Sequence, residues 1–117
     1  PKANGARGRI VVITQGSHAT VIAEGGKART IAVPKVAKES IVDTNGAGDS
    51  FVGGFLALLS KGASIDDCVH AGHFAAGHVI TQEGCTFVKS LKYAGPGSAL
   101  AAAGAGGAAA AGAGASA

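Results

Sequence analysis

Cysteine is scarce in this chain, long apolar runs are missing and aromatic residues are few, and each shortage closes off a class of protein. The two cysteines, Cys68 and Cys85, stand in different predicted elements without C-x-x-C spacing. That fits reduced thiols in the cytosol rather than a disulfide framework, and no redox role follows from them. No apolar run approaches the roughly 20 residues that cross a bilayer, and no basic-then-apolar leader is visible from Pro1 to Arg9. The expected protein is soluble and cytoplasmic. Aromatic residues make up 4% of the sequence and do not interleave with the basic ones, as a nucleic-acid surface requires. The net charge of +3 arises at the front, where Lys2, Arg7, Arg9, Lys27, Arg29, Lys35 and Lys38 are balanced by Glu24 alone. Scattered over strand and loop, these basic residues read as a solvated face. Neither nucleic acid nor membrane is an expected partner.

What is present is concentrated in Asp43, Thr44, Asn45, Gly46, Ala47, Gly48, Asp49, Ser50, Phe51, Val52, Gly53, Gly54 and Phe55. Ile41 and Val42 read as the end of a buried strand, Gly46-Ala47-Gly48 as a tight turn, and Phe51 to Leu59 as an apolar helix. Such an order leaves backbone N–H groups at a helix start with no internal acceptor, and the helix dipole adds roughly half a positive charge there. Phosphate is the natural occupant. Glycine at 46 and 48 lets the phosphate approach and frees the turn's dihedral angles.

Asp49 conflicts with that reading, because a carboxylate in the first turn repels the anion the turn attracts. The conflict is resolved if the phosphate is one in transfer, with Asp49 accepting the proton of the attacking hydroxyl. The plain alternative is a helix-start acid that favours the dipole.

Ahead of this stretch, Ile10 to Ile13 is a β-branched run, expected as a strand buried on both faces of a parallel sheet, with Thr14, Gln15, Gly16 and Ser17 at its ligand-binding carboxyl end. Ala19 to Ala23 and Arg29 to Val33 flank a hairpin turn at Glu24-Gly25-Gly26-Lys27. Behind it, Phe51, Phe55 and Leu59, with Val52 and Leu56 beside them, predict a core face. Gly53 and Gly54 cost roughly 1 kcal/mol each inside a helix and so imply close packing. Lys61-Gly62 ends that helix. Ser64 is the expected N-cap of a second helix reaching about Gln82, with Asp66 and Asp67 in its first turn. Its small-residue surface of Ala71, Gly72, Ala75, Ala76 and Gly77 would admit another element or a flat purine ring. His70 and His73 share a helix face, but no second pair lies at finger-like spacing, which argues against zinc. His73 reads as a polar group near a nucleotide or as a half-buried histidine with its hydrogen bonds met.

The stretch Asp43 to Phe55 resembles the signature of the ribokinase-like (PfkB) carbohydrate and nucleoside kinases. Arg9 to Gly16 is similar to the strand and turn that precede it in that family, and Ala71-Gly72-His73-Phe74-Ala75-Ala76 with Gly84-Cys85-Thr86-Phe87 to the helix and loop that follow. The resemblance covers roughly residues 9 to 88 and implies the C-terminal part of a three-layer α/β fold, a central, mostly parallel sheet flanked by helices. By the resemblance residues 9–93 are part of a nucleotide-binding domain; composition makes 1–8 a flexible segment and 94–117 a low-complexity Ala/Gly tail, which the family does not have. The tail is expected to be disordered. By resemblance the activity is ATP-dependent phosphorylation of a small-molecule alcohol. Asn45 and the 84–87 loop favour the 5′-hydroxyl of adenosine over a ribose- or fructose-like sugar. Asp49 would be the base, Gly46, Ala47 and Gly48 the anion hole, and Thr14, Gln15, Gly16, Asn45, His73 and Ala76 the ATP contacts, with magnesium bridging the phosphates. A full-length monomer is implied. The family's magnesium-ordering N-x-x-E motif is missing, since neither Asn4 nor Asn45 has glutamate three residues on. A fragment inactive alone, or a non-catalytic nucleotide-binding piece, is therefore the competing expectation.

Overall fold

The computed structural model describes residue 5 and residues 8–96. The expected flexible start and most of the Ala/Gly tail lie outside the described residues. The chain divides into two units, residues 1–35 and 36–117.

In the first unit, β1 (Ile10–Gln15), β2 (His18–Glu24) and β3 (Lys27–Ile31) form a sheet in the order β1-β2-β3, and both pairs are antiparallel. The Gly25-Gly26 turn forms where expected. Glu24 pairs with Lys27, and both glycines have positive φ, 60° and 77°, the backbone of a two-residue hairpin loop. The pairing puts Val12 opposite Ile22 and Thr20 opposite Ile31, so these four share one face. Ile22 and Thr20 are fully buried there.

The expectation of a parallel strand buried on both faces does not hold for β1 among the described residues. Val11 and Ile13 point to the other side of the sheet, and Ile13 is 51% exposed. An antiparallel hairpin covers one face and leaves the other open. Thr14, Gln15, Gly16 and Ser17 correspondingly form a bulge and a hairpin turn, with a register shift between Ile13 and Gln15 and φ of 61° at Gly16.

The second unit begins with a single 3-10 turn, Lys38–Ser40, followed by α1 (Ala47–Leu59) and α2 (Ile65–Val79). Ile41 and Val42 are not strand. The Val42 amide donates to the Ile80 carbonyl at 2.8 Å, and the Val42 side chain is 57% exposed. α1 ends on Leu59, with Gly62 at φ 78° donating to the Leu59 carbonyl. Ser64 caps α2 as expected, its hydroxyl accepting from the Asp67 amide at 3.1 Å, with Asp66 and Asp67 in the first turn. α2 stops at Val79, three residues short of Gln82, where Thr81 and Gln82 turn their amides back to His78 and Val79.

α1 packs on α2 through the small residues. Phe51, Cys68, Val69, Ala71, Phe74 and Val79 form the core, and the Phe74 ring lies 5.3 Å from that of Tyr93. A Cβ on Gly54 would stand 2.5 Å from the Ala71 carbonyl oxygen, so the close approach falls on Gly54, while Gly53 has open space. The element that meets the Ala71-Gly72 surface is thus α1. The predicted α1 core face is covered at Phe51 and partly at Phe55, whereas Val52 and Leu56 are more than half exposed. No helix among the described residues is long and apolar enough to cross a membrane.

Candidate functional site

The chain reverses between Thr44 and Ala47 because Gly46 sits in the left-handed region, φ 79° and ψ −2°, as the N-cap of α1. A residue with a Cβ is strained there. Space is closed as well, since a Cβ on Gly46 would run into the Cys85 sulfur. Gly48 has no positive φ and nothing within 4 Å of an added Cβ, so the unusual backbone belongs to Gly46 alone.

No side chain caps the first turn of α1. Ser50 donates to the Gly46 carbonyl at 2.9 Å and starts the helical ladder. The Ala47 amide donates to the Thr44 carbonyl at 3.3 Å. The amides of Gly46, Gly48 and Asp49 have no acceptor among the described residues. The turn therefore presents open donors at the positive end of a 13-residue helix. Asp49, the third residue of α1, is exposed beside them.

The turn is held from below by Asp43. Its Oδ1 accepts from the Asn45 amide at 2.9 Å, a short Asx-type loop, and its Oδ2 accepts from the Gly84 amide at 3.3 Å. The Asp43 amide joins that of Val42 on the Ile80 carbonyl, at 3.2 Å. Cys85 packs against Gly46, and its thiol donates weakly to the Asn45 carbonyl at 3.7 Å. Further along, the Val88 amide donates to His78 Nε2 at 3.1 Å, with the Phe87 ring 5.4 Å from that imidazole. The 83–88 loop is thus tied to the glycine turn by Gly84 and Cys85 and to α2 by Val88. The sequence pattern does not predict these ties. Asp43 two residues before Asn45 is a recognisable local signal, but nothing around Gly84 announces its partner.

The remaining candidates fall in different places. Asn45 is exposed at the turn, and Ala76 is half-buried on α2. His73 is 5% exposed, inside the helix interface, its ring 5.6 Å from Phe51. Burial chiefly, then the neighbouring His70, holds its pKa below the ordinary histidine value. Thr14, Gln15 and Gly16 belong to the first unit, where the Gln15 side-chain amide donates to the Ala19 carbonyl at 2.8 Å. Cys68 is buried and Cys85 exposed, both as free thiols.

Comparison with known proteins identifies the family. A model described as pfkB family carbohydrate kinase matches residues 1–92. Adenosine kinase 1 of Arabidopsis thaliana is 52% identical over 87 residues, which cover 74% of this chain and 25% of that protein. Among solved structures, Anopheles gambiae adenosine kinase in complex with P1,P4-di(adenosine-5) tetraphosphate is 50% identical with a TM-score of 0.67, over 73% of this chain and 26% of that one. Adenosine kinase from Schistosoma mansoni in complex with 2-fluoroadenosine is 32% identical with a TM-score of 0.70, over 76% and 27%. The chain spans about a quarter of the length of these relatives. Its α/β elements are accordingly part of a ribokinase-like fold, as expected. With the glycine turn, the helix that starts on it and the following helix and loop all inside the matched residues, the chain belongs to the pfkB family of carbohydrate kinases.

Proposed function

We propose that this chain is the C-terminal part of the nucleotide-binding domain of a cytoplasmic, monomeric kinase that transfers the γ-phosphoryl group of ATP to the 5′-hydroxyl of adenosine, giving AMP and ADP. The observation that carries the reading is Asp49, exposed on the third residue of α1 beside the open amides of Gly46, Gly48 and its own backbone. Choice of adenosine is supported by the adenosine kinases of Arabidopsis thaliana and Anopheles gambiae, each at half or more of the aligned positions identical.

In this mechanism the amides of the turn donate to the oxygens of the transferred group and stabilise the charge developing on them. Donors of this kind are worth about 10²–10³ in rate each. The adenosine hydroxyl oxygen bonds to the γ-phosphorus as the bond to the β–γ bridging oxygen breaks, and ADP departs with that electron pair. Asp49 takes the hydroxyl proton, a role worth about 10²–10⁴. Ala47, whose amide is engaged by Thr44, contributes shape rather than a donor. Asn45 and Ala76 are the proposed ATP contacts of this unit, while His73 lies buried in the helix interface with its ring 5.6 Å from that of Phe51.

Magnesium on the ATP phosphates would need oxygen ligands. Among the described residues no group of three or more His, Cys, Asp or Glu side chains comes together, and N-x-x-E is lacking. The described residues form no preassembled cage for the metal, and no step here runs through it.

The test is a coupled assay of the full-length protein with ATP and either adenosine, ribose or fructose. AMP formation is expected, and phosphorylation of the sugars in preference to adenosine would overturn the substrate assignment. This chain by itself, a quarter of its relatives' length, is expected to be inactive in the same assay.

A further inference from the structure

We propose that His78 is an acid-sensitive latch on phosphoryl transfer: its neutral ring holds down the loop that carries Cys85, and proton uptake by the ring lets that loop go and slows turnover. The inference rests on the kinase reading above. The imidazole is fully buried near the end of α2, and its Nε2 accepts the Val88 amide at 3.1 Å. An N–H donates only to an unprotonated ring nitrogen, so the proton of the neutral ring sits on Nδ1. Nδ1 is itself buried and has no partner among the described residues. The ring thus already carries one unmet donor, and a second proton would stand against the Val88 N–H. Burying a charge and two donors without an acceptor is costly. Displacing Val88 and Phe87, whose ring is 5.4 Å away, opens the imidazole to water and relieves that cost.

Release has a route to the site. Cys85 stands three positions before Val88, its side chain occupies the space beside Gly46, and its thiol donates to the Asn45 carbonyl at 3.7 Å. A loop freed at Val88 loosens at Cys85, and Gly46, the left-handed N-cap of α1, loses the neighbour that closes its vacant side. The open amides remain present but their aim is lost. The titratable groups on the surrounding elements are His70 and His73 on α2, Glu83 and Cys85 on the loop with Lys89 beyond it, and Asp43 and Asp49 at the turn. None of them contributes to the lowered pKa of His78, whose cause is burial. The sign follows: the latch is closed above about pH 6.5, the ordinary histidine value, and opens as pH falls below it.

The experiment measures kcat for AMP formation between pH 7.5 and 5 at saturating substrates, in full-length wild type and His78→Gln. Glutamine keeps an acceptor for Val88 and does not titrate. The two proteins should agree within about twofold at pH 7.5, and on acidification wild type should lose at least about threefold more of its kcat than the variant. Parallel profiles overturn the proposal and assign the decline to carboxylates such as Asp49. If the variant fails to fold, hydrogen exchange on wild type decides. Protection of the Val88 amide, relative to an unstructured amide at the same pH, should fall at least about threefold between pH 7.5 and 5 while amides inside α2 keep theirs. Constant protection at Val88 removes the latch. Failure of the kinase reading is distinguishable, since wild type would then form no AMP at any pH while the exchange measurement still reports on Val88.

Discussion

The Phe51 ring occupies the place where residue 72 would carry a side chain: a Cβ on Gly72 would stand 2.6 Å from two ring carbons of Phe51 and 2.9 Å from its carbonyl oxygen. Phe51 and Gly72 therefore set how closely α1 approaches α2, and through α1 they set the height of the glycine turn against the helix behind it. Phe51 also meets His73, one residue further along α2.

Gly72→Ala should accordingly destabilise the folded protein by about 1–3 kcal/mol, the usual cost of overpacking a tight contact. Gly53→Ala should do the reverse. It has open space around it, so replacing glycine in a helix interior contributes up to about 1 kcal/mol of stability. Denaturant unfolding of both variants in the full-length protein checks the pair, and equal effects would mean that the Phe51 contact does not set the helix spacing.

The two turn glycines should separate in the same way. Gly46→Ala meets a positive φ and the Cys85 sulfur, so a loss of stability of at least about 1–2 kcal/mol is expected. Gly48→Val meets neither. It should melt near wild type while kcat drops about 10²–10³, through a branched side chain interposed between amide and phosphate. Full turnover in Gly48→Val would take that amide out of the anion contact.

For Asp49 the expectation is kinetic, because the residue is exposed in the first turn of α1. Asp49→Asn should fold as wild type, bind ATP, and turn over about 10²–10⁴ more slowly. Near-normal kcat in that variant would falsify the base assignment.

Acid should loosen the 83–88 loop. His78 is fully buried, and burial pushes its pKa below the ordinary histidine value. Its Nε2 accepts the Val88 amide, an arrangement open only to the neutral ring, since a protonated ring would put N–H against N–H. The unfolded chain therefore binds this proton more readily than the folded one. Stability is complete above about pH 6.5, the unfolded value, and is lost as pH falls below it toward the lowered folded value. His73 is shifted the same way and adds to the slope. Thermal melts between pH 7.5 and 5 should show the decline, and His78→Gln, which keeps an acceptor for Val88 but does not titrate, should make it shallower. An identical slope in that variant would exclude His78 as a source.

The devices that depend on neighbouring residues could be read from the sequence alone. The hairpin at Gly25-Gly26, the cap of Ser64 on Asp67, the reversal at Gly46 and the acid three residues into α1 are all decided within a few positions, because turn dihedrals, cap hydrogen bonds and helix ends are local. Residue pattern could not say which apolar side chains would be covered. Ile13 and Val52 carry the same hydrophobic signal as buried Ile22 and Phe51, yet stand half exposed, because coverage depends on what packs across from them. Nor could it choose between adjacent glycines. Gly54 meets the Ala71 backbone and Gly53 meets open space because 100° of helical rotation separates them and only one turns toward α2. The tie from Asp43 to Gly84 lies furthest from anything local. Its two partners are 41 residues apart, and only the packing of α1 on α2, which returns the chain to the turn, brings that amide within reach of the carboxylate.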